Sequence, residues 1–140
     1  MVTHIFYIFG KTLGQLHDYG LSHGRPAMRD ITYDPETDKI TLLDWENGRR
    51  WPELTPQGWD LLIFVHSYLR EDNLPISYLY AMMNGYSSAR TARDTVLHVK
   101  EILRKHECLF KFCRMLNPFH FVDTEAAVKA YDFMLALKTE

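Results

Sequence analysis

The sequence predicts a mostly helical α+β domain, five or six helices around one small β-hairpin, and three observations lead there. Apolar residues recur at spacings of three and four through most of the chain. The texture changes only between Leu21 and Asn47, where two short runs of β-formers flank an acidic turn containing proline. The chain has 140 residues with 46% apolar side chains, enough for one core of ordinary size. No internal repeat, low-complexity tract or long linker divides it, so residues 1–140 read as a single domain.

The elements follow in order. Ile5, Phe6, Phe9, Leu13, Leu16 and Tyr19 line one face of a helix over Thr3–Tyr19, and Gly20 suits the left-handed residue that closes it. Gly10 and Gly14 weaken that helix by up to about 1 kcal/mol each relative to alanine, which close approach of another element would offset. Ile31–Tyr33 and Lys39–Leu43 are strand-like, with Asp34, Pro35 and Asp38 making the turn of a hairpin. Gly48–Pro56 reads as loop. Thr55 and Pro56 read as N-cap and first position of a helix running to Arg70. Pro75–Asn84 forms a short helix closed by Gly85, Ser88–His106 a longer one with a polar face, and Glu107–Leu116 another that ends before Pro118. Asp123 caps a final helix bearing Tyr131, Phe133, Met134 and Leu137.

Composition excludes several classes. With 16 Lys and Arg against 18 Asp and Glu the formal charge is −2, which argues against a protein built to coat phosphate backbones. No nucleic-acid partner is expected. No run reaches the roughly 18 apolar residues of a membrane span, and Ile5–Phe9 has neither the basic start nor the cleavage site of a signal peptide. Cys108 and Cys113 lie five apart on a helix and point in different directions, so two free thiols in a reducing, cytoplasmic setting are expected. The histidines show no zinc-ligand spacing. No nucleophile elbow, Walker A loop or dinucleotide fingerprint occurs.

One region departs from the helical texture. Ser22-His23-Gly24-Arg25-Pro26-Ala27-Met28-Arg29-Asp30 precedes the hairpin, whose second strand runs into Leu43-Asp44-Trp45-Glu46-Asn47. Asp30 and Asp44 at the mouth of a hairpin can converge on one hard cation such as Mg²⁺ through oxygen ligands. The bland readings are a structural histidine at 23, turn and cap roles for the acids, and an ordinary first-turn acid at Asp60. Arg49-Arg50 beside Trp51 could bind a phosphate, stack on a base, or be a solvated loop pair.

The order of helix, His-Gly, loop, hairpin, Asp-Trp-Glu and a helix carrying Trp59-Asp60 resembles the C-terminal lobe of the protein-kinase-like superfamily. The nearest branches are the aminoglycoside phosphotransferases, lipopolysaccharide kinases and Bud32/RIO-type kinases. The match runs from about Lys11 to Arg70. It implies that His23 is the loop histidine, that Asp30 stands at the metal-binding Asn position, and that Asp44 holds Mg²⁺ against nucleotide phosphates. It further implies that Asp60 braces the catalytic-loop backbone. The position of the catalytic Asp is Arg25, which accepts no proton at ordinary pH. In a rival register Arg29-Asp30 is the R-D pair and Asp30 the base, but the metal-binding Asn then falls on Pro35.

In the main register the glycine-rich phosphate cover, the strand lysine and its Glu partner would lie upstream of this sequence. Weak Mg²⁺ and ATP binding by a pseudokinase or interaction module is therefore the first expectation. A working phosphotransferase completed by an N-lobe from elsewhere is the second, and a helical binding module without nucleotide the third. Ile5–Phe9, apolar around most of its helix, predicts a cover from a homodimer partner, another protein, or the C-terminal helix folded back.

Overall fold

The computed structural model describes residues 1–50, 54–71 and 73–138 of the chain. Helix α1 (Val2–Asp18) buries Phe6, Phe9, Leu13 and His17, one side chain per turn, and Gly20 at φ 72° ends it as expected. It lies against α3 (Ile76–Tyr86), and the two backbones almost touch. A Cβ on Gly10 would sit 1.9 Å from the Met82 carbonyl oxygen, and one on Gly85 2.0 Å from that of Tyr7. Gly85 is thus a crossing residue inside α3 rather than its terminal cap. Phe6 stacks on Tyr78 at 5.4 Å and meets Tyr68 edge-on, while Phe9 packs on Phe64 at 4.3 Å. The side of α1 bearing Phe6, Phe9 and Leu13 is covered within the chain, chiefly by α3, while Ile5 and Ile8 stay half-buried and Tyr7 exposed.

After α1 the chain makes two small antiparallel sheets. Strands β2 (Ile31–Asp34) and β3 (Lys39–Leu42) form the expected hairpin, with Ile31 opposite Leu42 and Asp34 opposite Lys39. Asp34 Oδ1 accepts the Glu36 N–H at 2.9 Å and holds the turn. The second sheet was not legible. β1 (Leu21–Ser22) pairs with β4 (Arg49–Arg50), Ser22 opposite Arg49. Two-residue strands carry too few positions for any alternation to show. Trp51 lies outside the described residues.

Helix α2 (Leu54–Arg70) runs through the middle, with Leu61, Phe64, Val65 and Tyr68 buried, and packs on α4 (Ala92–Lys105) and α6 (Val122–Ala136). Thr55 and Pro56 fall inside its first turn, and the Thr55 hydroxyl meets His98 Nε2 at 2.9 Å. Residues 87–91 turn rather than opening a helix, because Asp18 receives the N–H groups of Arg90 and Thr91, both at 3.0 Å. Asp123 does not cap α6. That helix begins at Val122, and the Asp123 carboxylate pairs with Arg70 at 3.0 Å.

Helix α5 (Glu107–Leu116) has no fully buried residue and exposes Leu109, Phe112 and Met115, while Cys108 and Cys113 are free thiols. Among the described residues no helix is long and apolar enough to cross a membrane. The described residues form six α-helices and two small sheets, α+β and mostly α.

Candidate functional site

Asp60, Leu43 and Asn47 meet around one turn, His23-Gly24, where the chain leaves β1. Gly24 has φ 89°, and a Cβ there would lie 2.2 Å from the Asn47 carbonyl oxygen. Glycine is required on both grounds, conformation and space. The turn is held from below by α2. Asp60, with no exposed surface, accepts the His23 N–H at 2.6 Å and the Gly24 N–H at 2.8 Å, one on each carboxylate oxygen. Two main-chain donors on a buried carboxylate are strong, charge-assisted bonds.

The same carboxylate takes a third bond that the sequence reading missed. His17 Nε2 lies 3.1 Å from Asp60 Oδ2, and its Nδ1 lies 2.7 Å from the Tyr86 hydroxyl. Burial pushes the Tyr86 phenol well above its ordinary pKa. It therefore stays protonated and donates to Nδ1, leaving the Nε2–H for Asp60. Gln57 donates to the His17 carbonyl at 2.9 Å. A chain of buried polar groups thus runs from α3 through α1 to the turn. The available clue was register. His17 is four residues beyond Leu13 on the buried stripe, and a buried polar ring requires partners.

His23 is itself fully buried. Its Nε2–H donates to the Leu43 carbonyl at 2.7 Å, its ring packs on Trp45 at 4.8 Å, and its Nδ1 has no partner. Leu43 is fixed from the other side as well, donating its N–H to the Asp30 carbonyl at 2.7 Å. That bond extends the β2–β3 ladder by one step, so Asp44 follows directly on the residue opposite Asp30.

The two acids differ in state. Asp30 is buried, accepts the Ala27 N–H at 3.2 Å, and has Arg29 Nε 3.6 Å from its other oxygen. It closes its own turn. Asp44 is exposed in a left-handed conformation, φ 62° and ψ 63°. No hydrogen bond or ion pair among the described residues uses its carboxylate. Non-glycine residues in that region are uncommon, and they gather at ligand sites and switch points. Among the described residues no cluster of three His, Cys, Asp or Glu forms a ready-made metal cage. The donors on offer are the exposed Asp44 carboxylate, which no described residue engages, and, one ladder step away along the backbone, the buried Asp30 carboxylate, already bonded within its own turn. That suits Mg²⁺, which is bound by one or two carboxylates and completes its shell with water and phosphate.

Arg25 and Arg29 are exposed and line one cleft with His66 and Arg70. No acidic side chain takes the place of Arg25 on the turn. Glu46 is exposed in the short helical turn Trp45–Asn47.

No family model matches the chain. An uncharacterized protein of Haemophilus influenzae is 34% identical over 97 residues, covering 64% of this chain and 37% of that protein. A probable bifunctional tRNA threonylcarbamoyladenosine biosynthesis protein of Methanocorpusculum labreanum is 26% identical over 98 residues, 70% of this chain and 17% of the relative. A protein of the same description from Haloarcula marismortui is 28% identical over 90 residues, 62% of this chain and 16% of the relative. The chain therefore spans well under half the length of each of these relatives.

Proposed function

We propose that this chain is a kinase-like lobe that holds a magnesium nucleotide weakly at the mouth of the β2–β3 hairpin and does not transfer its phosphate. The observation that carries the reading is the Asp60 clamp. A buried carboxylate on the central helix fastens the His23-Gly24 backbone, and His23 in turn fixes the residue before Asp44. A loop secured this deeply, ending in a strained and unpartnered acid, is built to present that acid to a ligand.

In this reading Asp44, aided by Asp30, holds the cation, and His23 and Asp60 are positioning residues. When bound, magnesium would supply positive charge against the nucleotide phosphates. Arg25 separates binding from catalysis. A guanidinium cannot take the proton of an incoming hydroxyl, so the turn offers no general base at that position.

The test is calorimetry of the 140-residue chain with ATP, with and without Mg²⁺, alongside a turnover assay. Expected are weak saturable binding that needs Mg²⁺, its loss in Asp44→Asn, and no ADP release. Turnover abolished by Asp44→Asn would overturn the non-catalytic reading. Absence of any magnesium-dependent binding would overturn the nucleotide reading and favour a helical interaction module.

A further inference from the structure

We infer that the cleft between the β1–β4 ribbon and the start of α2 binds the phosphate group of a small phosphorylated molecule, and that it does so without Asp44, which does not line it. The first observation is Ser22. Its side chain is 1% exposed and lines the cleft, yet its Oγ has no hydrogen-bond partner. Buried hydroxyls are nearly always paired, and an unpaired one is destabilising unless something in the cleft engages it.

The second observation is register. Ser22 lies directly opposite Arg49, and directly opposed residues of an antiparallel pair put their side chains on the same face. Both line the cleft, Ser22 buried and Arg49 exposed, so the ribbon offers it a hydroxyl and an arginine from one face.

The third is the field. The far wall is the first turn of the 17-residue helix α2, with Thr55 and Pro56 on the cleft and no acidic residue in that turn. First-turn N–H groups lack intrahelical partners and favour an anion; Pro56 carries none, so Thr55 is the first-turn residue on the cleft that can supply one. None of the described residues lining the cleft is acidic, although the whole chain has more acids than bases. The volume is about 370 Å³, within the range of small-ligand pockets, and half-exposed Trp59 gives an apolar wall for the body of the molecule. Arginine with a hydroxyl and a helix start matches phosphate geometry better than a monovalent carboxylate, because the guanidinium fork can bond two oxygens at once. Sequence alone left Arg49 open between a phosphate ligand and a solvated pair. The unpaired Ser22 decides for phosphate.

Titration of the ¹⁵N-labelled chain with inorganic phosphate, glucose 6-phosphate and glucose, all without Mg²⁺, tests the site. Expected are saturable shifts of the Ser22, Gly24, Arg49 and Thr55 amides with both phosphates and none with glucose. Tighter binding of glucose 6-phosphate than of inorganic phosphate identifies an organic phosphate ester as the natural class, and equal binding identifies free phosphate. Arg49→Met is expected to weaken binding at least tenfold. If that variant fails to fold, Arg49→Lys, which keeps the charge but loses the fork, serves with several-fold weakening expected.

Ser22→Ala is expected to weaken phosphate several-fold while leaving the melting temperature equal or higher, since it removes an unpaired buried hydroxyl. A lower melting temperature would show that Oγ serves the fold and would overturn its role here. Unsaturable shifts scattered over surface arginines, or binding unchanged in the Arg49 variants, would overturn the site. Phosphate binding must also survive Asp44→Asn. A site lost with Asp44 would be the nucleotide's own, whereas phosphate binding with no magnesium nucleotide binding would leave this site standing alone.

Discussion

At the scale of single residues the account turns on Asp60. Its two oxygens satisfy three buried donors, the N–H groups of His23 and Gly24 and the imidazole of His17. Asp60→Ala strands all three. The expected loss is about 3–5 kcal/mol of stability, read as a lower urea midpoint, with faster amide exchange at His23 and Gly24. An unchanged midpoint would remove the clamp from the account. Gly24→Ala is expected to be worse tolerated than any exposed substitution, because the alanine methyl would have to displace the Asn47 backbone; circular dichroism melting checks it. Asp60, Asp44 and Gly24 could be picked out in the sequence because their order around a helix, a turn and a hairpin is distinctive. The pairing of His17 with Asp60 could not, since the two are 43 residues apart, and register showed only that a partner was needed. Nor could the engagement of Asp30 with its own turn, which depends on the path of residues 27–30.

At the scale of elements, periodicity located the six helices among the described residues and the hairpin, with both ends of α5 and the end of α2, and missed several other ends. Ends are set by tertiary partners. Thr55 turns to His98 and Asp123 to Arg70, while Gly85 sits inside a helix because α1 must pass over it. The crossing of α1 and α3 makes its own prediction. Alanine at Gly10 gains up to about 1 kcal/mol of helix propensity but forces two backbones apart, and overpacking costs about 1–3 kcal/mol. Gly10→Ala and Gly85→Ala are both expected to lower the melting temperature, and a rise in either would contradict the close approach.

The tie between α1 and α4 is electrostatic and responds to pH. Partial burial alone would raise the pKa of Asp18, but the N–H groups of Arg90 and Thr91 and the Thr91 hydroxyl outweigh it and hold the carboxyl below its usual value. With the folded pKa below the unfolded one, this stabilisation is complete above about pH 4 and is lost as pH falls through the folded value. The drop in urea midpoint between pH 7 and pH 3 is expected to be smaller in Asp18→Asn than in the unmodified chain. An equal drop would show that Asp18 carries none of the acid sensitivity.

At the scale of the whole molecule, mostly helical α+β architecture was legible because helical spacing runs through most of the sequence and gives way to β-formers only between Leu21 and Asn47. The β1–β4 ribbon was not legible, and with it the cleft beside Ser22, since neither strand is long enough to leave a pattern. Exposed apolar side chains occur on α1, at Val2 and Tyr7, and on α5 and the turn after it, Leu109, Phe112, Met115 and Phe119 among them. The central claim is that this fold presents Asp44, beside Asp30, to a magnesium nucleotide. Amide-shift mapping with adenylyl imidodiphosphate, with and without Mg²⁺, tests it most directly. The account predicts magnesium-dependent shifts at Asp30, Leu43, Asp44 and Trp45 that vanish in Asp44→Asn; no such shifts at millimolar nucleotide, or shifts confined to another face of the molecule, would contradict it.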